Sequence, residues 1–563
     1  MKIKFNSLLA GALACFALVA TSCSKDQNGD NGEIDGGNDD FGFFSLNIQD
    51  VTGNVLTRGA GDALFVDAGT SDESKLNALR VVLYNGAGVV TYSWDIDPTS
   101  IADGEMVEDG SSGNPSTTTQ GREVVKADYH VLLLINPNQD AKDATDAGKT
   151  EADLWTSIDG TSAADFIEGT GGSQDNFMMG NWQELVELPQ ASIADSKAVA
   201  EATPIEIYVE RTVAKIMVGI GADPAGSGAV EGDAGKTIAG LATDATVSDI
   251  KFVLDVLNKN TYLIRKKALA VTTPSANPAV AATLGNEYTQ ISQRHRHYAT
   301  DPNFTGISTR DGAIAGGNIA NNFAYATDGT ITWNNITSPQ TDYKNYTTGY
   351  VLENTMEADE QYRDVTTALL FQMVYAPNES SLDRTSGGGT TQAIGTGTPY
   401  FAYKNYVFTA ADFDDVLSGT FTVTDASPAD VRKFLAIDVL AELKTEMGIS
   451  GTFAGNLPSA SESFTFTEDN IDYTVQFFDA NQINYYRAPI RHYDAAIQAR
   501  SMAYGRFGVV RNNVYLLHLE SVDGPGTAEI EYGGPDEEEY GYVSIKFEIL
   551  PWVLREHGVS LGR

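Results

Sequence analysis

From Phe41 onward, apolar and polar residues alternate with the period of two that marks a half-buried strand. Phe44, Leu46 and Ile48 alternate with Ser45, Asn47 and Gln49, and Leu79, Val81 and Leu83 alternate with Arg80 and Tyr84. Tyr129 to Ile135 is a short apolar run of strand length. Ile205, Ile207 and Val209 oppose Glu206, Tyr208 and Glu210, but from Ala214 the apolar set moves to even positions: Ala214, Ile216, Val218 and Ile220. A parity change near 211–213 predicts a bulge or bend within a long strand, with a short helix over 211–218 as the alternative. Further strands are predicted at Ile250 to Leu257, Ala368 to Tyr375, Phe464 to Phe466, Tyr473 to Phe478 and Val509 to Val522.

One segment has helical spacing. Val431, Phe434, Leu435, Val439, Leu440 and Leu443 predict a helix from Pro428 to Met447, with Ser427 as cap and Pro428 at the first helical position. The Gly/Ala/Asp-rich stretch 221–240 predicts a long loop and a domain boundary, and the Gly/Thr/Ser/Asn-rich connectors 105–121, 299–350 and 384–398 predict surface loops. The last strand is the clearest: Val543, Ile545, Phe547 and Ile549 on one face, Tyr542, Ser544, Lys546 and Glu548 on the other, closed by Pro551. A proline there removes a backbone donor and suits an edge or a free end.

The first 22 residues have a different character. Met-Lys-Ile-Lys precedes a small and apolar run from Leu8 to Ala20, too short to span a bilayer, then Thr21-Ser22-Cys23. This is an export signal, and Ala20-Thr21-Ser22-Cys23 resembles a bacterial lipobox with Cys23 as the lipidated residue; the alternative is an ordinary secretory signal. Residues 24–40 hold one apolar residue, Ile34, and predict a flexible acidic tether. Asp26, Asn28 and Asp30 have a calcium-loop spacing but lack the terminal glutamate of such a loop.

Composition narrows the chemistry. The chain has 563 residues, 37 basic against 76 acidic side chains and a net charge of −39, which argues against nucleic acid as a partner. Its two cysteines, Cys15 and Cys23, leave no thiol downstream. His295 and His297 form a close pair without a third ligand nearby in sequence and are read as a solvated loop. There is no phosphate-binding loop, no dinucleotide fingerprint and no nucleophile elbow. Carboxylates are so abundant that a catalytic pair of them leaves no readable signal. No catalytic residue, cofactor or metal site is assigned.

Three stretches together carry a resemblance: Val209-Glu-Arg-Thr-Val-Ala-Lys-Ile-Met-Val218, Val509-Val-Arg-Asn-Asn-Val-Tyr-Leu-Leu-His-Leu-Glu-Ser-Val522, and Phe547-Glu-Ile-Leu-Pro-Trp-Val553. Val247 to Leu254 and the pair Tyr485-Tyr486 support it. In order and spacing these resemble the fimbrillins of Bacteroidales, the type V pilins, most closely the major shaft subunit of Mfa-type fimbriae.

The resemblance implies a mainly β chain with two transthyretin-like β-sandwich domains, a few short helices and a C-terminal donor strand. It implies an outer-membrane lipoprotein precursor that a trypsin-like, arginine-specific protease cuts after an early Arg, with polymerisation by strand exchange into a surface fimbria that supports adhesion. Partners would then be copies of the chain itself, anchor and tip subunits, and the protease. On this pattern the chain divides into a signal peptide (1–22), a tether (23–40), a removable strand (41–58), an N-terminal sandwich (59–222), a C-terminal sandwich (223–530), and an acidic loop with the donor strand (531–563). Arg58 and Gly59, in the Gly-rich run Leu56 to Asp62, flank the expected cut. Phe44, Leu46 and Ile48 belong to the released strand; Val543, Ile545, Phe547 and Ile549 belong to the donor strand. Trp552 either anchors the donor at the groove mouth or covers its own domain.

Three other readings stay open: a surface lipoprotein that binds glycan or protein ligands, with 25 Tyr and 5 Trp as stacking platforms, a secreted hydrolase, and a fimbrial tip subunit. The cuttable strand and the alternating tail favour the pilin.

Overall fold

The computed structural model describes residues 40–50, 69–110, 113–156, 158–159, 162–169, 172–182, 185–220, 238–266, 299–304, 319–328, 332–340, 345–356, 360–385, 389–492, 507–533 and 543–551. For Asp50, Ala239, Ile319, Ala320 and 543–551 only the backbone is described. His295, His297 and the acidic run 535–539 lie outside these residues. The body from Phe41 onward is mainly β, with sandwich-like sheets and a few short helices.

The first sheet has the order Val90–Ile96, Leu79–Asn85, Tyr129–Ile135, Met179–Asn181, Ile205–Arg211, Leu46–Asp50, Pro115–Thr119, Met106–Glu108, with Val186–Leu188 paired to Tyr129–Ile135. Leu79–Asn85 and Tyr129–Ile135 are buried on both faces, so Arg80, on the polar side of its alternation, is enclosed and holds Asp95 and Asp146. Around this sheet lies a first core that includes Leu46, Leu83, Leu133, Phe166, Phe177 and Val209.

The second sheet runs Thr347–Leu352, Val213–Gly219, Asn513–Val522, Val543–Pro551. The third runs Asn334–Asn335, Ala245–Asp255, Ala368–Pro377, Ile483–Pro489. Ala214, Ile216 and Val218 from the second sheet join Phe252, Phe371 and Tyr486 from the third in a second core, while Val213, Met217, Val514 and Leu516 join the first core. Both faces of the second sheet are thus covered, which is why Val213–Gly219 is apolar at nearly every position. The parity change at 211–213 is therefore a change of sheet: Ile205–Arg211 ends in the first and Val213–Gly219 starts in the second, with Thr212 between them.

A third core stands beside these two. The sheet Tyr406–Phe408, Tyr400–Tyr403, Ile471–Phe478, Glu462–Glu468 packs against helices Ala410–Leu417, Ala429–Phe434 and Ile437–Glu446. The single helix expected from Pro428 to Met447 is two, because Leu435 and Ala436 turn the chain so that Phe434 and Leu440 both reach the core. Pro428 occupies the cap position rather than the first turn, and no side chain caps that helix.

Two connectors expected as loops are also built in. Residues 105–121 contain Met106–Glu108 and Pro115–Thr119, a Thr-rich hairpin that extends the first sheet. The 299–350 connector buries Phe304, Phe323, Ile336 and Tyr346, single apolar residues among polar ones that give no period to read.

Candidate functional site: the opening and terminal strands

The opening segment is one stretch of chain held in two sheets. Phe41–Phe44 pairs antiparallel with Arg122–Val125, and Leu46–Asp50 pairs parallel with Ile205–Arg211, from Leu46 opposite Ile205 to Asp50 opposite Val209. On its other side Asn47 pairs antiparallel with Thr118. The second half is therefore an interior strand, and taking it away would part the 106–119 hairpin from the rest of its sheet.

Phe44, Leu46 and Ile48 are 2%, 0% and 6% exposed and belong to the first core. Phe44 packs on Trp94 at 5.8 Å between ring centroids, with the Arg122 guanidinium over the same indole. These are large apolar groups whose removal would open a groove lined by apolar side chains.

The crossing between the two sheets imposes two sequence demands. A Cβ at Gly42 would stand 2.7 Å from the Ala194 carbonyl oxygen and 2.7 Å from Ile193 Cγ2, so no side chain fits. The backbone there is tied down by Phe43 N donating to Ala194 O (2.7 Å) and Ala194 N to Phe43 O (2.8 Å). Three residues on, the buried Ser45 donates its hydroxyl to Thr119 O (2.6 Å), and the next amide, Leu46 N, donates to Thr119 Oγ1 (3.0 Å). Ile205 N donates to Ser45 O at 2.8 Å.

The terminal strand lies at the edge of the second sheet, antiparallel to Asn513–Val522. Its register sets Ile549, Phe547 and Ile545 opposite Tyr515, Leu517 and Leu519, with a bulge at Glu520, and Val543 opposite Val522. Tyr515, Leu517 and Leu519 face the second core. Cys23, Arg58, Gly59 and Trp552 lie outside the described residues. The opening and terminal strands thus belong to different sheets of the chain.

The Arg-Asn-Asn run has a clear local cause. Asn512 takes a left-handed backbone, φ +58°. From there its side-chain oxygen accepts from Arg211 N (3.2 Å) and Nη1 (3.3 Å), while its own N–H reaches Val213 O (2.9 Å). Arg511 pairs with Glu353 (3.1 Å) and donates to Tyr262 O and Thr261 Oγ1. Asn513 Nδ2 turns back onto Val510 and Arg511 carbonyls. The motif therefore fastens the start of Asn513–Val522 to the junction of the first two cores.

Thr119 and the buried charges beside this motif escape sequence reasoning. Arg265 meets Glu210, and Lys215 meets Glu73, each pair enclosed. The partners are 55 and 142 residues apart, and no local spacing announces them. A cleft of about 340 Å³ lies elsewhere on the first sheet, lined by Asn85, Gly86, Asp128, Tyr129, His130, Glu187, Leu188 and Pro189.

Residues 478–558 match the family model described as "Major fimbrial subunit protein type IV, Fimbrillin, C-terminal", a span that takes in Tyr485-Tyr486, the Arg-Asn-Asn run and the terminal strand. The C-terminal part of the chain thus carries the fimbrillin region that the resemblance indicated. No curated protein matches the sequence. Among solved structures, the chain is similar to a fimbrilin, FimA, from Porphyromonas gingivalis, at 13% identity and a TM-score of 0.36 over 92% of this chain and 98% of that one. It is also similar to the tip fimbrial protein Mfa3 from the same organism, at 11% identity and a TM-score of 0.31 over 91% of this chain and 100% of that one.

Proposed function

We propose that this chain, a fimbrillin by its C-terminal region, is a structural shaft subunit of a cell-surface fimbria that supports adhesion. It leaves the cell as an outer-membrane lipoprotein carried on Cys23. A trypsin-like, arginine-specific protease cuts between Arg58 and Gly59, and the strand bearing Phe44, Leu46 and Ile48 departs with the lipid. The terminal strand of a second copy then enters the vacated groove.

The observation that carries this reading is the opening strand itself. It carries three core side chains and its second half is an interior strand of the first sheet, yet it lies at the beginning of the body that runs from Phe41, where one cut frees it. Until then it keeps two strand edges covered, and an uncovered apolar edge invites aggregation. An incoming strand with Val543, Ile545, Phe547 and Ile549 brings four apolar side chains, each worth about 1.5–3 kcal/mol on burial, a gross gain from which the cost of association is subtracted. A donor on one sheet and an acceptor groove on another form a heterologous contact, which propagates into a filament with anchor and tip subunits at its ends.

The test is limited trypsin treatment of the purified precursor, with N-terminal sequencing and electron microscopy. A new terminus at Gly59 and filaments are expected, with neither in an Arg58→Gln variant and no filaments when 543–563 are deleted. A clean cut that leaves monomers points to a tip subunit. A folded precursor that resists cutting at Arg58 points to a ligand-binding surface lipoprotein, and the cleft at Tyr129 and His130 is where such a ligand is then sought.

A further inference from the structure

The opening and terminal strands share a sequence pattern in the same direction. Phe41-Gly-Phe-Phe-Ser-Leu-Asn-Ile-Gln49 and Tyr540-Gly-Tyr-Val-Ser-Ile-Lys-Phe-Glu548 agree position by position: aromatic, Gly, aromatic, apolar, Ser, apolar, polar, apolar, polar. Alternation alone accounts for the apolar and polar positions. It does not account for a glycine followed three residues later by a serine, and those are the two places where the groove is selective: Gly42 admits no Cβ, and the buried Ser45 is bonded to Thr119.

We propose, building on the strand-exchange reading, that the terminal strand of a second copy of this chain enters the groove in one register and one direction, parallel to Ile205–Arg211, with Gly541 in the place of Gly42 and Ser544 in the place of Ser45. Reversing the strand, or sliding it by two residues, puts a side chain where the Ala194 carbonyl and Ile193 leave no room, and deprives Thr119 of its serine.

The neighbours agree with this placement. Val543, Ile545 and Phe547 take the places of Phe44, Leu46 and Ile48, nearly the same set of sizes in a different order. Lys546 takes the place of Asn47, whose partner across the parallel ladder is Glu206, an exposed carboxylate. A neutral neighbour is thereby exchanged for one of opposite charge. Three residues on, Ile549 takes the place of Asp50, opposite the buried Val209. An aspartate is thereby exchanged for an isoleucine in register with an apolar residue. Exchange in this register improves on the precursor's own pairing at two positions.

The downstream chain holds no cysteine, so introduced ones report cleanly. A double variant, Glu206→Cys with Lys546→Cys, is cut, allowed to assemble and oxidised, and run on a non-reducing gel. A covalent ladder is expected after cutting and none before it, since in the uncut chain Lys546 pairs across from His518. Two comparison doubles, Tyr208→Cys with Lys546→Cys and Glu206→Cys with Glu548→Cys, each displace one partner by two residues and are expected to cross-link less. A ladder strongest in either comparison, or filaments that cross-link in none of the three, overturns the register while leaving exchange intact. Cut chains that neither assemble nor cross-link sink the exchange reading itself. In a separate variant, Gly541→Val is expected to slow filament growth by at least roughly tenfold, the rate equivalent of a modest overpacking penalty, with cutting unchanged; unaltered growth overturns the assignment of Gly541.

Discussion

Glu73 and Lys215 meet at 2.9 Å with their side chains only 2% and 5% exposed. The same carboxylate accepts from Tyr350 Oη (2.6 Å) and Thr70 N (2.7 Å), and Arg211 Nε donates to the Glu73 backbone oxygen (3.0 Å). Glu73 therefore ties the chain that follows the expected cut to Val213–Gly219 and Thr347–Leu352 of the second sheet, and to the last residue of the strand that flanks the groove. None of these bonds involves the opening strand. Lys215→Met is expected to cost about 3–5 kcal/mol, since it strands a buried carboxylate, and the double variant with Glu73→Gln to recover part of that loss. Denaturant unfolding of the parent, the single variant and the double variant measures both numbers.

The same pair sets an acid limit. Burial pushes the Glu73 carboxyl up, but the Lys215 charge, the Tyr350 hydroxyl and the Thr70 amide outweigh it and hold the group below its ordinary 4.5. A depressed folded-state value means that the unfolded chain binds the proton first as pH falls. The contribution is present above pH 4.5 and is lost as pH drops through the lower folded-state value. Stability of the Glu73→Gln variant is accordingly expected to fall less steeply than that of the parent below pH 4.5.

Asp301 predicts the opposite slope. It is enclosed with no cation paired to it among the described residues, and burial pushes its carboxyl up to about 7, against N–H donors from Asn303 and Thr355 and with Glu353 adding to the rise. The folded chain then holds a proton that the unfolded one releases, so stability declines as pH rises from the ordinary 3.8 toward 7 and levels off above. Burial likewise pushes the Glu210 carboxyl up to about 7, so comparing parent and Asp301→Asn by thermal unfolding across that window is expected to show a steeper decline in the parent.

Phe434 tests whether the third core is a separate packing unit. Its ring stacks on Tyr403 at 4.4 Å and lies 5.5 Å and 5.8 Å from Phe408 and Phe413, all within one cluster. Phe434→Ala is expected to cost about 3–5 kcal/mol. Hydrogen exchange is expected to quicken in the Tyr400–Phe478 region and to stay unchanged in Leu79–Asn85 and Tyr129–Ile135.

What the sequence disclosed and what it withheld have physical causes. Phe44, Leu46 and Ile48 were legible because these core residues alternate with the half-buried Asn47 and Gln49, and the alternation of Ile545, Phe547 and Ile549 is as plain in the sequence. Val213–Gly219 misled because its strand is covered on both sides, so alternation cannot tell a bend from a change of sheet. The hairpin at 106–119 was hidden because threonines look like loop when the strand is short and one-sided. Glu73, Lys215, Glu353 and Arg511 were invisible as partners, since only the fold brings together residues so far apart in sequence. Gly42 and Ser45 were visible as letters, but their meaning came from Ala194 and Thr119.

Thr119 offers a last test that reads precursor and filament with one substitution. Its hydroxyl oxygen accepts the buried Leu46 amide at 3.0 Å. Thr119→Val keeps the shape and removes the acceptor, leaving a buried N–H unpaired at a cost of about 1–3 kcal/mol. In the precursor this loosens the opening strand, so trypsin is expected to cut faster and unfolding to begin at lower denaturant. If Ile545 of a second copy occupies the place of Leu46, its amide meets the same missing acceptor, and filaments of the variant are expected to dissociate at lower denaturant by a comparable amount. A weakened precursor that still gives filaments as resistant as the parent's would mean that the incoming strand does not lay its backbone along Thr119.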